Sequence, residues 1–99
     1  MLLHLEFPLE PFNSMVRDGS AGPTVMKILE TLKPESAYFS ESDGCRGGTL
    51  VVDVKEPSDV PFFAEPWFLK FNASAKFRIA MTPQDLGKSN LESLAKMWS

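Results

Sequence analysis

The order in which the periodicity changes along the chain constrains its fold more than any other feature. Leu2 to Phe7 alternates, with Leu3, Leu5 and Phe7 on one side and Leu2, His4 and Glu6 on the other, which is the pattern of a half-buried strand. Pro8 and Pro11 end it. A broken helical stretch follows, in which Phe12, Met15 and Val16 keep helical spacing before Asp18-Gly19-Ser20-Ala21-Gly22 interrupts. Pro23 suits a first helical turn, and Val25, Ile28, Leu29 and Leu32 then form an apolar stripe. Pro34 stops that helix, because its ring and missing N–H oppose continuation.

The second half repeats the pattern. Ala37 to Glu41 and Thr49 to Val54 read as two strands, joined through the turn cluster Ser42-Asp43-Gly44-Cys45-Arg46-Gly47-Gly48 as a hairpin. Pro57-Ser58-Asp59 opens a helix that Ser58 or Asp59 can cap. Phe62, Phe63, Trp67 and Phe68 give it an aromatic face, and Pro66 predicts a kink or break. Ala75 to Met81 alternates again. Thr82-Pro83-Gln84-Asp85 resembles a helix start, Ser89-Asn90-Leu91-Glu92 has capping-box spacing, and Leu91, Leu94, Ala95 and Trp98 form one face of a last short helix.

The resulting order, β-α-β-β-α-β plus a C-terminal helix, predicts one α+β domain over residues 1–99 with the split βαβ, ferredoxin-like arrangement. Right-handed crossovers give a strand order 4-1-3-2, all neighbours antiparallel, with the helices on one face. Leu3, Leu5, Phe7, Leu50, Val52, Val54, Phe77, Ile79 and Met81 should line the covered face. The opposite face carries Leu2, His4, Glu6, Tyr38, Ser40, Thr49, Val51, Asp53, Lys76, Arg78 and Ala80, a mixture that can face water or pack on a second sheet.

Bulk properties narrow the function classes. A chain of 99 residues buries only about 65% of its unfolded surface, so a pocket forms more easily between subunits than inside one. The 43% hydrophobic and 11% aromatic share argues against disorder. Thirteen acidic against ten basic residues, a net charge of -3, makes nucleic acid a poor partner. No apolar run is long enough for a membrane span, and the apolar start lacks the basic region of a signal peptide, so no membrane partner is expected. A single cysteine, Cys45, leaves no intrachain disulfide and no Cys-rich zinc site, and fits a reducing cytoplasm. The sequon Asn72-Ala73-Ser74 reads as chance without a secretion signal. No cofactor motif is present. Gly19-Ser20-Ala21-Gly22 and Gly44-Cys45-Arg46-Gly47 are turn chemistry rather than a nucleic-acid clamp or a dinucleotide fingerprint.

The candidate site centres on His4, the only histidine. Asp53 and Arg78 come from neighbouring strands on its face, and a carboxylate there would tune the imidazole for acid–base work. The alternative is a polar residue hydrogen-bonded in an interface or exposed to water. As a metal ligand His4 has no partners at diagnostic spacing. Arg78 and Lys76 can hold an anion, or pair internally with Glu6 and Asp53. Trp67, after Pro66, can aim its indole at a pocket, and Asn13 and Arg17, one helical turn apart, can face the same mouth; the other meaning of such aromatics is core packing. Cys45 beside Arg46 is either a thiol activated by a neighbouring cation or an ordinary surface thiol.

Arg46-Gly47-Gly48-Thr49-Leu50-Val51-Val52-Asp53-Val54 followed by Ala64-Glu65-Pro66-Trp67-Phe68 resembles an uncharacterised bacterial domain family related to the dimeric α+β barrel superfamily. Pro11-Phe12-Asn13, Val16-Arg17-Asp18-Gly19, Pro34-Glu35 and Met81-Thr82-Pro83 extend the likeness over nearly the whole chain. The resemblance implies a ferredoxin-like subunit whose sheet packs on a partner's sheet. It implies no activity. The wider superfamily contains haem-degrading and quinol-oxidising monooxygenases, lactone isomerases and stress-responsive proteins, and none of their catalytic motifs matches residue by residue here. The expectation is therefore a homodimer, associated through its open sheet face, that binds a small apolar or anionic ligand near His4, Asp53, Arg78 and Trp67. The alternative is an oxygenase or isomerase of that superfamily with His4 as acid or base.

Overall fold

Alternation over Leu2–Phe7 produces the strand on which the rest of the sheet is built. In the computed structural model, which describes residues 1–99, β1 (Leu2–Phe7) has neighbours on both sides, and its inward side chains Leu3, Leu5 and Phe7 are all buried. Two helices follow, α1 (Leu9–Asp18) and α2 (Ala21–Leu32), then the hairpin β2 (Ser36–Ser42) and β3 (Cys45–Val51), a 3₁₀ turn at Pro57–Asp59, α3 (Val60–Phe71), β4 (Ser74–Arg78), α4 (Pro83–Lys88) and α5 (Leu91–Met97). The sheet is open and antiparallel throughout, in the order β2-β3-β1-β4. The fold is thus α+β, with five helices where the sequence pattern suggested three.

Each extra helix end has a local cause. Gly19 takes a left-handed conformation (φ 84°) that ends α1, and Ser20 N–H reaches back to Met15 O at 2.9 Å. Inside the first turn of α1, Glu10 is extended (φ -109°, ψ 142°), so the helix proper forms only after the Pro8–Pro11 segment. At the other end of the chain, Thr82 Oγ1 accepts from Asp85 N–H (3.1 Å) and Asp85 Oδ2 accepts from Thr82 N–H (3.2 Å), the reciprocal cap that starts α4. Asn90 Oδ1 accepts from Ser93 N–H and starts α5 separately.

Three expectations are corrected. The hairpin turn is only Asp43-Gly44, both with positive φ (49° and 80°), and Cys45-Arg46-Gly47-Gly48 belongs to β3. A two-residue Asp-Gly connection matches the right-handed twist of its strands, so the remaining glycines are free to pair. Gly48 has a packing role: a Cβ there would lie 2.9 Å from the Phe39 ring, which covers this position. Second, α3 runs as one helix through Pro66. Phe63, Trp67 and Phe71 bury one stripe of it on the sheet, and that packing outweighs the missing hydrogen bond. Third, β4 ends at Arg78, so Ile79 and Met81 are exposed rather than in the core, and Ala80 and Asp53 lie beyond the strands.

The core fills the space between sheet and helices with Leu3, Leu5, Phe7, Leu50 and Val52 from below, Ile28, Leu32, Phe63, Trp67 and Phe71 from above, and Ala73 from the link into β4. Val54 and Phe77 pack at its margin. No buried side chain is charged. Leu50, fully buried on an interior strand, is the plainest measure of this core. Leu50→Ala should lower the unfolding free energy by about 2–5 kcal/mol in urea denaturation, whereas Gly44→Ala, which strains the turn alone, should cost about 1–2 kcal/mol.

Candidate functional site

Register decides which polar side chain meets the aromatic core. Phe7 pairs with Arg46, which in turn pairs with Glu41, so all three project to the helix-covered side at one end of the sheet. α1 brings Phe12 and Asn13 to the same end, and α3 finishes there with Phe71. The rings form a continuous stack. Trp67 lies on Phe71 (centroids 6.2 Å, 26° between planes), Phe71 on Phe12 (5.0 Å, 29°), and the Arg46 guanidinium on Phe12 (4.6 Å). Phe7 meets Phe12, Trp67 and Phe71 edge-on at 5.3, 5.9 and 5.4 Å. Both arrangements suit the ring quadrupole, and the exposed end of the stack is the face a cation prefers.

Between this end of the stack and the hairpin runs an open groove of about 490 Å³, lined by Phe7, Phe12, Phe39, Glu41, Cys45 and Arg46 among others. Arg46 is half-buried, and Nη1–H donates to Asn13 Oδ1 at 2.8 Å. No carboxylate pairs with it; the two ion pairs of the molecule are Arg17–Glu10 (3.6 Å) and Lys55–Asp53 (3.9 Å). Its strand neighbour Glu41, also on the groove, accepts Gly44 N–H at 2.6 Å instead. A guanidinium has five N–H donors in a planar fork, so four remain without a protein acceptor.

Of the residues singled out from the sequence, Asn13 belongs to this groove through its bond to Arg46. Arg17 is exposed and engaged with Glu10. Trp67 forms the buried base of the stack rather than a pocket wall, and its indole N–H has no protein acceptor. His4, Asp53 and Arg78 are not joined. Lys76 is the residue opposite His4, Arg78 is opposite Leu2, and Asp53 lies past the end of β3 with Lys55. His4 instead lies across the open face, with Nδ1 3.3 Å from Thr49 Oγ1 and Nε2 3.0 Å from Ser42 Oγ. Gly47 sits between them in the register, where a Cβ would come within 2.7 Å of the Ser42 Cβ. No three His, Cys, Asp or Glu side chains converge as metal ligands would. Cys45, half-buried in β3, is part of a strand and not of a turn.

Arg46, Phe12 and Phe39 were not candidates in the sequence. The signal was available: Arg46, Gly48 and Leu50 alternate in phase with the core face once the turn is confined to Asp43-Gly44. Reading the whole glycine-rich stretch as turn removed Arg46 from that phase.

Comparison of the chain with family models, with curated proteins and with solved structures finds no match. The geometry alone therefore carries the functional reading.

One titrating group adjoins the groove's outer wall. Ser14 Oγ–H donates to the Glu10 carboxylate at 2.6 Å and holds its pKa below the usual carboxylate value; desolvation opposes this, and Ser14 N–H (3.2 Å) and then the charges of Arg17 and Arg46 add to the lowering. A carboxylate with a depressed folded-state pKa contributes stability above its unfolded pKa and loses it as pH falls through the folded value. Ser14→Ala should move the Glu10 midpoint upward, toward its ordinary value, in a carboxyl-carbon NMR titration; an unmoved midpoint would show that the charges govern it instead.

Proposed function

We propose that this protein is a small ligand-binding module that takes a compound with a flat apolar body and a single carboxylate or similar anion. The observation that carries this reading is Arg46: a half-buried guanidinium, stacked on Phe12, oriented by Asn13 and without an anionic partner. Phe12 and Phe39 supply apolar contact, and the guanidinium fork matches a carboxylate in two parallel hydrogen bonds. Few precisely placed polar groups in an apolar concavity are what small-molecule sites generally show.

The subunit fits the ferredoxin-like class, and we place it with dimeric α+β barrel proteins, associating through the open sheet face. What supports this is the mixed character of that face. Leu2, His4, Thr49 and Val51 are half-buried already, and the imidazole is tied to Thr49 and Ser42 rather than left to water. The alternative, an oxygenase or isomerase with His4 as acid or base, has less support, because hydroxyls occupy both ring nitrogens and no carboxylate orients the ring.

Titration with benzoate, followed by backbone NMR shifts, should perturb Phe12, Phe39 and Arg46 first. Arg46→Gln should weaken binding about tenfold or more, the usual value of a charge-assisted hydrogen bond, and benzyl alcohol should bind more weakly than benzoate. Absence of shifts at millimolar benzoate would rule the groove out for this class of ligand. For the sheet face, single cysteines at Tyr38, Thr49 and Lys76 in a Cys45→Ser background should give covalent dimers on mild oxidation, and one at Met26 on the helix layer should not. Equal yields at all four positions, or none, would remove the sheet-face reading.

A further inference from the structure

Two opposite charges stand side by side on the groove and do not pair. Glu41 and Arg46 are directly opposite across β2 and β3, and Phe7 continues the same row on β1, so both charged side chains project to the helix-covered side. Residues directly opposite in an antiparallel pair have Cβ atoms about 5 Å apart, and opposite charges so placed ordinarily attract. Here the two ion pairs of the molecule lie elsewhere, at Arg17–Glu10 and Lys55–Asp53.

Local hydrogen bonds hold the two charges apart. Glu41 Oε2 accepts Gly44 N–H at 2.6 Å, which draws the carboxylate toward the hairpin turn. Arg46 Nη1–H donates to Asn13 Oδ1 at 2.8 Å and the guanidinium lies on the Phe12 ring, which draws it toward α1. Each group keeps capacity to spare. Glu41 Oε1 receives no donor from the protein, and most of the guanidinium fork is unused. The other acid whose charge reaches Arg46, Glu10, is already engaged by Ser14 and Arg17.

An aromatic surface completes the groove. Phe39 precedes Glu41 on the same face of β2 and lies over Gly48, where a Cβ would come within 2.9 Å of the ring. It still leaves 48% of its surface exposed. A ligand bearing only an anion places it near the Glu41 carboxylate as well as on Arg46. A ligand bearing only a cation meets the guanidinium. One with both signs close together matches each and is repelled by neither, which is how paired charges discriminate between ligands of similar shape. The groove, about 490 Å³, lies in the range of small-molecule sites.

We propose that the groove takes a small aromatic zwitterion, an α-amino acid with a flat side chain. Its carboxylate lies on the Arg46 fork, its ammonium donates to Glu41 Oε1, and its ring rests against Phe39. This rests on the reading of the groove as a site for flat compounds with one carboxylate, and it adds Glu41 as the residue that sets specificity. Arg46 alone accepts any aryl carboxylate; Glu41 favours those that also carry an ammonium.

Three probes that share a phenyl ring and differ in charge separate the parts. L-phenylalanine has both charges, 3-phenylpropionate the anion alone, and 2-phenylethylamine the cation alone. Each is titrated into the full chain and followed by backbone amide shifts. L-phenylalanine should perturb Phe39, Glu41 and Arg46 and bind about threefold tighter than 3-phenylpropionate, with 2-phenylethylamine the weakest. The stretch Arg78–Ser99 is an internal control: it is exposed throughout, stands clear of the body and carries the apolar Leu91, Leu94 and Trp98, and it should not shift. Glu41→Gln keeps an oxygen for Gly44 N–H and so keeps the hairpin. It should abolish the preference, weakening L-phenylalanine about threefold and leaving 3-phenylpropionate unchanged or tighter. Arg46→Gln should weaken both carboxylates together. Equal affinity for L-phenylalanine and 3-phenylpropionate, or a preference that survives Glu41→Gln, would overturn the zwitterion and leave the anion reading standing. No shifts at Phe39, Glu41 and Arg46 with either carboxylate at millimolar concentration, or equal shifts in α5, would overturn both. The comparison of the three probes needs no variant, so it stands whether or not the substituted chains fold.

Discussion

The contact between Phe7 and the stack of Trp67, Phe71 and Phe12 is what the rest of the structure depends on. Phe7 is the last residue of an interior strand, and it touches the three rings contributed by α1 and α3. Through it the sheet is locked to both helices at one end. Because the rings stack rather than pile at random, the column has a defined exposed end, and Arg46 covers that end. A slip of β1 by one residue would turn Phe7 to the other face, and a slip of β3 would do the same to Arg46. Stability and site geometry therefore rest on the same register.

The size of the chain explains the shape of the site. One thin core between a four-stranded sheet and three helices leaves no room for an enclosed cavity, and the space available is a groove at the margin between α1 and the hairpin. A marginal groove keeps a guanidinium half in water. Water can then solvate the Arg46 guanidinium where no carboxylate pairs with it. The sheet's other face follows a different logic: it has no helix over it, and His4 resolves its polarity locally by engaging the hydroxyls of Thr49 and Ser42.

Much of the architecture was legible from periodicity. The alternation in β1, the Pro34 stop, the α2 stripe and the Thr82-Pro83 start each has a local physical cause, and each stands where the pattern put it. Errors came where local and tertiary preferences disagree. Pro66 opposes a helix locally, yet three large aromatic side chains buried on one face keep α3 continuous. Gly47 and Gly48 read as turn residues, yet they pair in β3 because Ser42 and Phe39 need the space they leave. Ile79 and Met81 continue an alternating pattern but have no neighbouring strand to pair with, since β1 starts opposite Arg78.

The site was less legible than the fold. Asn13 was found because it lies one turn from Arg17 on a helix, but its actual partner, Arg46, is 33 residues away and comes near only through strand pairing. By itself the amino-acid sequence determined the four strands and their order, the Thr82 cap and the core face of β1, because these depend on neighbours within a few residues. Only the tertiary structure decided that Arg46 closes an aromatic column, that His4 and Arg78 stay unlinked, and that the last twenty-odd residues stand clear of the body. Those outcomes depend on register and packing between distant segments, which no local pattern encodes.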